Sequence, residues 1–306
     1  MQNAKESQSK NTNSDTTQKP LILVSNDDGI TAKGIRELVE MMILLGEVIV
    51  VAPDSPQSGM GHAITIHMPL KVRKSDVFKD LGVEAYECSG TPADCVKLAK
   101  FHLFQNRIPD LVVSGINHGS NTSISILYSG TMSAAIEGAI EGLPSIGFSL
   151  CDYGENADFS HVRSHLLKIA EQTLKNGLPK NIALNVNFPP RFEKDFDKKE
   201  EKGLDTATNE QLEIATKTKK VEKTENQIKG IKICRQAHAR WQEKFDLRTD
   251  PYGREYLWLA GDFVNPDKGD DTDEWAIKNG YISIVPCQFD MTAHHGITHI
   301  NNEWHI

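Results

Sequence analysis

Polar residues that could bind a metal ion or a phosphate group occur in four short segments of the sequence. Asp27 and Asp28 are adjacent carboxylates followed by a glycine, and such a pair repels itself unless a cation lies beside it. A hard divalent cation satisfies that requirement with oxygen ligands. Ser58, in a loop rich in proline and glycine, could bring a hydroxyl close to a ligand, and Asn117 offers a neutral side-chain oxygen.

The fourth segment, Ser129, Gly130 and Thr131, precedes an alanine-rich stretch that predicts a helix. Free backbone N–H groups and hydroxyls at a helix start suit a phosphate. Taken singly, these segments are typical of a turn, a glycine-rich loop or a helix N-cap. Taken together they combine carboxylate, hydroxyl, amide oxygen and anion-binding groups, which favours metal-assisted phosphoryl chemistry.

Strands and helices alternate through the first 190 residues, which predicts an α/β fold with a doubly wound parallel sheet. Short apolar runs predict strands, and apolar residues at helical spacing predict helices. The predicted strands are 21–26, 47–53, 110–115, 145–150 and 182–186, and the predicted helices are 32–45, with Gly46 as C-cap, 91–104, 129–141 and 159–176. Ligands bind at the carboxyl ends of the strands in such sheets, where the four polar segments fall.

The chain divides by composition into four parts. Residues 1–20 are polar and predict a disordered tail, 21–190 form the predicted core, and 191–230 hold ten basic and ten acidic residues. That composition predicts a solvated insertion, with a partner-binding arm as the alternative. In the last part, 231–306, three segments predict antiparallel strands or a long hairpin: 231–235, 256–259 and 281–285. The end of this part predicts a short helix or an arm.

Composition excludes several classes of protein. The 34 basic and 42 acidic residues give a net charge of −8, which argues against binding to a nucleic-acid polymer. Five cysteines without zinc spacing predict reduced thiols and a cytoplasmic location. No apolar run is long enough to span a membrane. Neither a P-loop nor a dinucleotide fingerprint is present, and the four tryptophans are expected in the core or at subunit contacts.

Several blocks of the sequence resemble the SurE (survival protein E) nucleotidases in order and spacing. They are LILVSNDDG at 21–29, VVAPDSPQSGMG at 50–61, VVSGINHGSN at 112–121, YSGTMSAAIEG with a following EG at 128–142, LNVNFP at 184–189 and GYISIVPCQFDMTAH at 280–294. The resemblance implies a Rossmann-like domain followed by a β-hairpin region and a swapped C-terminal arm. It also implies a homodimer or homotetramer that hydrolyses nucleoside 5′- and 3′-monophosphates, and in some members polyphosphate.

The resemblance further implies one divalent cation per subunit, Mg²⁺ or Mn²⁺, with Asp27, Asp28, Ser58 and Asn117 as its ligands. The implied phosphate-binding residues are Asn26, Gly59, Ser129, Gly130 and Thr131. Asp27 or Asp28 could also act as general base or nucleophile, and the sequence leaves that choice open. His62 stands where a small polar residue is common in the family, so it could alter the approach of the substrate.

A non-catalytic module is the alternative. Paired acids at the first strand end also suit a metal-dependent switch domain that binds a phosphate or nucleotide. A phosphoryl receiver of that kind would need a lysine at a later strand end, and none follows the strands at 110–115 or 145–150. The large C-terminal strand region also disfavours a compact receiver.

Overall fold

A computed structural model describes residues 18–104, 107–154, 157–191 and 228–304. Most of the predicted tail, residues 1–17, and most of the predicted charged insertion, residues 192–227, lie outside the described residues.

The elements alternate in the first half of the chain as predicted. The strands are β1 (Leu21–Ser25), β2 (Glu47–Pro53), β3 (Val72–Ser75), β4 (Glu84–Cys88), β5 (Leu111–His118), β6 (Ser145–Leu150), β7 (Ile182–Phe188), β8 (Gly230–Ile233), β9 (Arg240–Thr249), β10 (Glu255–Val264) and β11 (Tyr281–Gln288). The helices are α1 (Lys33–Met42), α2 (Pro92–Leu98), α3 (Gly130–Ile140), α4 (Arg163–Asn176), α5 (Asp273–Lys278) and α6 (His294–Glu303). A π-helical turn, Ala99–Leu103, continues α2.

Nine strands form one sheet in the order β3-β4-β2-β1-β5-β6-β7-β11-β8. Strands β4, β2, β1, β5, β6 and β7 run parallel, whereas β3 and β11 are antiparallel to their neighbours β4 and β7. Strand β1 is buried along its whole length, because helices cover both faces of a doubly wound sheet. The predicted Rossmann-like, mostly parallel α/β fold with a C-terminal hairpin is confirmed.

The order of the strands reverses at β1, which lies between β2 and β5. This reversal is the switch point at which ligands bind in open α/β sheets. Helix α1 packs closely here, since a Cβ added to Gly34 would lie 2.0 Å from the carbonyl oxygen of Ile116. The carboxyl ends of β1 and β5 thus flank one crevice.

Helix α1 is shorter than predicted. It ends at Met42 with Ile43 as C-cap, so the prediction of a helix to residue 45 capped by Gly46 is wrong. Gly46 instead allows a close approach of the chain, because an added Cβ would lie 2.3 Å from the carbonyl oxygen of Pro20. Helix α4 also begins later than predicted, at Arg163.

The C-terminal strands differ further from the sequence prediction. Segment 231–235 is predicted to belong to an antiparallel region, but β8 joins the main sheet parallel to β11. The long hairpin consists of β9 and β10. The two strands pair along their whole length, from Arg240 opposite Val264 to Thr249 opposite Glu255. The sequence pattern does not predict β9, because its side chains are mostly charged or polar and all of its residues are exposed.

The hairpin stands apart from the core in a single chain. Trp241, Trp258 and Trp304 are 44%, 59% and 57% exposed. Of the two expected places for the tryptophans, the core is therefore not theirs, and a place at subunit contacts stays a prediction. Helix α6 has no buried residue. Among the described residues, no helix combines the length and apolar character needed to cross a membrane.

Candidate active site

Asp27 lies two residues after the end of β1 and is almost completely buried, with 4% of its surface exposed. Its Oδ1 accepts a hydrogen bond of 2.5 Å from the hydroxyl of Thr131. Burial raises the pKa of Asp27 to about 6, although the Thr131 hydroxyl opposes the shift and Asp28 adds to it. The folded protein therefore holds this carboxylate at a free-energy cost unless a cation compensates its charge.

Asp28 is the less buried member of the pair. Burial raises its pKa above the ordinary value, against the opposing effects of the His118 side chain and the His118 backbone N–H. Among the described residues, no lysine or arginine forms an ion pair with Asp27 or Asp28. Within the described parts of the chain, the two carboxylates thus form an acidic site without a lysine or arginine partner.

The loop that carries Ser58 and Gly59 is anchored beside this pair. The backbone N–H of Gln57 donates to the carbonyl oxygen of Asp27 at 2.7 Å. The N–H of Gly61 donates to the carbonyl oxygen of Tyr128 at 3.2 Å, which ties the loop to the start of α3. Ser58 and Gly59 are exposed, and the φ of +77° at Gly59 suits glycine. The loop thus spans the crevice with an exposed hydroxyl.

Asn117 approaches the site from the end of β5. The pairing of β5 with β6 shifts register between Ser114 and Asn117, and such irregularities redirect side chains next to functional sites. The Nδ2 of Asn117 donates to the carbonyl oxygen of Gly119 at 3.0 Å. Its Oδ1 therefore remains as an acceptor for a ligand.

Asn26, just after the end of β1, resembles Asn117 in its hydrogen bonding. Its Nδ2 donates to the carbonyl oxygen of Gly29 at 2.8 Å, while its buried Oδ1 has no hydrogen-bond partner among the described residues. Gly29 adopts a φ of +94°, which turns the chain sharply after the two acids. A buried oxygen without a partner is costly in isolation, so a site that receives a cation or a donor is the simplest explanation.

The start of α3 meets the acidic pair directly. Ser129 is the N-cap and accepts a hydrogen bond from the N–H of Met132 at 3.0 Å. A Cβ added to Gly130 would lie 2.5 Å from the Cβ of Asp27, so only glycine allows this approach. The first N–H groups of a helix lack intrahelical partners. They and the helix dipole form a potential anion site next to a potential cation site.

The donor set fits a hard divalent cation. Such ions take carboxylate, amide and hydroxyl oxygens, and the segments of Asp27, Asp28, Ser58 and Asn117 supply these. Within the described residues there is no group of three or more His, Cys, Asp or Glu side chains that could hold a metal.

Some of the predicted site residues are in direct contact with one another, and others lie on loops that are anchored next to the same crevice. Asp27 touches Thr131 and closely approaches Gly130, whereas Ser58 and Asn117 lie on segments adjoining the same crevice. His118 is a neighbour of Asp28 that the sequence reasoning missed, although its position after Asn117 at a strand end was a usable signal.

A second ionic group lies farther along α3. Glu137 is 2% exposed and its Oε2 lies 2.8 Å from Nε2 of His62. Its Oε1 accepts a hydrogen bond of 2.6 Å from Nζ of Lys97. The sequence singles out His62 but not its partner, because 75 residues separate the two and no motif links them.

Comparisons with known proteins agree with this architecture. The family model described as "Survival protein SurE" matches residues 22–243. Relatives named 5′-nucleotidase SurE from Cytophaga hutchinsonii and Flavobacterium psychrophilum are 60% and 55% identical, over 94% and 93% of this chain and 97% of each relative. The crystal structure of the SurE protein from Aquifex aeolicus is 36% identical, with a TM-score of 0.69, and the match covers 92% of this chain and 99% of that one. By its sequence over nearly its whole length, the chain belongs to the SurE family.

Proposed function

We propose that the protein is a 5′-nucleotidase, a divalent-metal-dependent phosphatase that hydrolyses nucleoside monophosphates. The observation that carries this proposal is the direct contact between the buried carboxylate of Asp27 and the start of α3. It brings a potential cation site beside a potential anion site. The relatives named 5′-nucleotidase SurE support the choice of substrate class.

Each predicted ligand has a distinct role in this proposal. Asp27 and Asp28 supply the negative charge that holds one Mg²⁺ or Mn²⁺ per subunit, and Ser58 and Asn117 contribute neutral oxygens. When bound, such an ion polarises a phosphoryl oxygen and assists the activation of water. The raised pKa values of both carboxyl groups are consistent with a site shaped for a positive charge.

In this proposal the phosphate is bound by groups on the side of the site opposite the metal ligands. The start of α3 offers the backbone N–H groups of Gly130 and Thr131 and the hydroxyl of Ser129 to the non-bridging oxygens, whereas the Thr131 hydroxyl orients Asp27. The loop at Gly59 offers further N–H groups. Asn26 supports the turn after β1. Because these donors are fixed by the fold, they stabilise the charge of the transition state without reorganising. Asp27 or Asp28 acts in addition as general base or nucleophile.

We also infer a homodimer or homotetramer. Large apolar side chains of the β9–β10 hairpin are exposed in the single chain, including Phe245, Leu247 and Trp258 at 65%, 57% and 59%. Exposed apolar surface of this extent marks an interaction site. Symmetric association of copies is the commonest way to cover it. A cytoplasmic location stays a prediction, in line with five cysteines that are free thiols.

Phosphate release from AMP tests the proposal. The purified protein should release phosphate with Mg²⁺ or Mn²⁺ and lose this activity with EDTA. Asp28→Asn should keep the fold and lose most turnover. Parallel reactions with 3′-AMP and polyphosphate define the range of substrates. If the protein binds the metal and AMP but releases no phosphate from any of these compounds, the non-catalytic switch module is the better explanation.

A further inference from the structure

A cavity of about 820 Å³ opens beside the start of α3. One wall is formed by α3 and the residues just before it, and the other by the ends of β8 and β11. We call it the α3 cavity and define it by Ser129, Ser133, His62, Ile136, Ile140 and Phe289, which line it. Its size falls in the range of small-molecule sites.

Ser129 belongs both to the α3 cavity and to the proposed phosphate site. It caps α3, while the next residues, Gly130 and Thr131, touch Asp27. A phosphomonoester with its phosphate at the helix start can therefore extend its leaving group into the cavity. The cavity thus offers space next to the proposed phosphate site.

Ser133 places an unused hydroxyl in this wall. It lies one turn after Ser129 and only 2% of its surface is exposed. Its Oγ is buried and has no hydrogen-bond partner among the described residues. Because buried polar atoms are normally paired, a ligand in the cavity that reaches this hydroxyl would supply the missing partner.

Two turns beyond Ser129, about 12 Å along the helix axis, Glu137 holds His62 at the cavity wall through the 2.8 Å contact with Nε2. Burial alone would raise the pKa of Glu137, but hydrogen bonds from His62 and Lys97 outweigh it and leave the pKa below its ordinary value. The Glu137 carboxylate thus stays ionised and fixes the imidazole. Among the described residues, no hydrogen bond is made by Nδ1 of His62, so this nitrogen is available to a ligand.

The segment of His62 is itself held rigidly. The hydroxyl of Thr91 donates to the carbonyl oxygen of Ala63 at 2.7 Å, and the N–H of Thr65 donates to the carboxylate of Asp94 at 3.1 Å. A side chain on so well-anchored a segment is preorganised, and preorganisation lowers the cost of binding.

The remaining surface of the cavity is mostly apolar, with Ile136 and Ile140 on one side and Phe289 on the other. Apolar walls with a few placed polar groups are typical of sites for flat, partly polar ligands. An aromatic side chain near the wall also suits a nucleobase, whose faces stack on aromatic rings.

We propose that the α3 cavity binds the nucleoside of the substrate, with Ser133 and His62 as its polar contacts and the apolar walls around the base. This inference rests on the proposed function, since it assigns the leaving group of that reaction. It adds a specificity-determining surface outside the metal and phosphate residues.

Filling the cavity tests the inference. Ile140→Trp adds bulk at the far end of α3, away from the reacting atoms. We expect KM for AMP to rise about tenfold. The kinetics with ribose 5-phosphate, which lacks the base, should change by no more than about twofold. Leu44→Trp is the matched control, because Leu44 is exposed and outside the cavity.

Removing the unpartnered hydroxyl gives a second, independent readout. Ser133→Ala should weaken binding of adenosine, measured by calorimetry without metal, about fivefold, as expected for one lost hydrogen bond. The midpoint of thermal unfolding should not fall, because the hydroxyl has no partner among the described residues of the free protein. A merely structural serine would give the opposite pair of results.

The outcomes separate failure of this inference from failure of the proposed function. If AMP and ribose 5-phosphate are both inert with wild-type protein, the phosphatase proposal fails, whereas adenosine binding still tests the cavity. If Ile140→Trp impairs both substrates equally and changes the oligomeric state, the cavity receives a second copy of the chain and the inference is overturned. Unchanged adenosine affinity in both variants overturns it as well.

Discussion

Replacing Asp27 by asparagine should stabilise the metal-free protein at neutral pH, although it removes a proposed metal ligand. Asparagine keeps the shape of the side chain and an oxygen that can accept the hydrogen bond from Thr131. It removes the charge and exchanges the second carboxylate oxygen for an NH₂ group. The change therefore isolates the cost of an ionised carboxylate in a buried position.

The magnitude follows from the pKa of Asp27, which burial raises from 3.8 to about 6. Because the folded state binds the proton more tightly than the unfolded state, the contribution of this group to stability falls as pH rises between these two values. A shift of about two pKa units corresponds to about 3 kcal/mol. The full penalty applies above about pH 6, and about half of it at pH 5.

Urea unfolding in EDTA measures this effect. Asp27→Asn should exceed the wild-type free energy of unfolding by about 2 to 3 kcal/mol at pH 8 and by about half as much at pH 5. Asp54→Asn is the matched control, because Asp54 is exposed and its change should shift stability by no more than about 0.5 kcal/mol.

Added Mn²⁺ should reverse the order of stability. An ion that binds only the folded state adds about 4.1 kcal/mol at one thousand times its dissociation constant, which exceeds the advantage of Asp27→Asn, and the wild type alone should gain this fully. If Asp27→Asn is no more stable than the wild type in EDTA at pH 8, Asp27 does not carry an uncompensated charge, and the reasoning from burial is refuted.

Three further substitutions probe the packing around the site. Gly130→Ala should lower kcat/KM for AMP about a hundredfold, because its Cβ would overlap Asp27 and displace it; near-normal activity would contradict the close approach. Glu137→Gln should lower the free energy of unfolding by about 1 to 3 kcal/mol in urea titrations, since its partners lose an ionised acceptor; a change too small to measure would show that the group is solvated. Trp258→Lys should reduce the molar mass in solution, measured by light scattering, because a charge on the exposed hairpin disfavours an apolar interface; an unchanged assembly would place the interface elsewhere.

The parallel core could be predicted from the sequence because its strands are continuous apolar runs. The bounds predicted for β2 and β6 agree with Glu47–Pro53 and Ser145–Leu150, since both strands are buried on both faces and bounded by turn residues. In a parallel sheet the carboxyl ends of all strands lie at the same edge, so the topology alone gives the location of these ends. For this reason the sequence pattern was sufficient to select the polar residues at the ends of β1 and β5.

The hairpin and the ionic group on α3 could not be predicted in the same way. Strand β9 carries no alternation of buried and exposed positions, since all its residues are exposed in the single chain. Its strand character comes from pairing with β10. The contact between His62 and Glu137 joins residues 75 positions apart, so it depends on the path of the folded chain rather than on a local pattern.

The location of a bound cation tests the central claim most directly. Crystals grown with Mn²⁺ and phosphate can be measured at a wavelength where manganese scatters anomalously. The account predicts one strong peak per subunit within about 2.0 to 2.4 Å of carboxylate oxygens of Asp27 and Asp28, with phosphate density at the start of α3. A peak elsewhere, or phosphate bound away from that helix start, would contradict it.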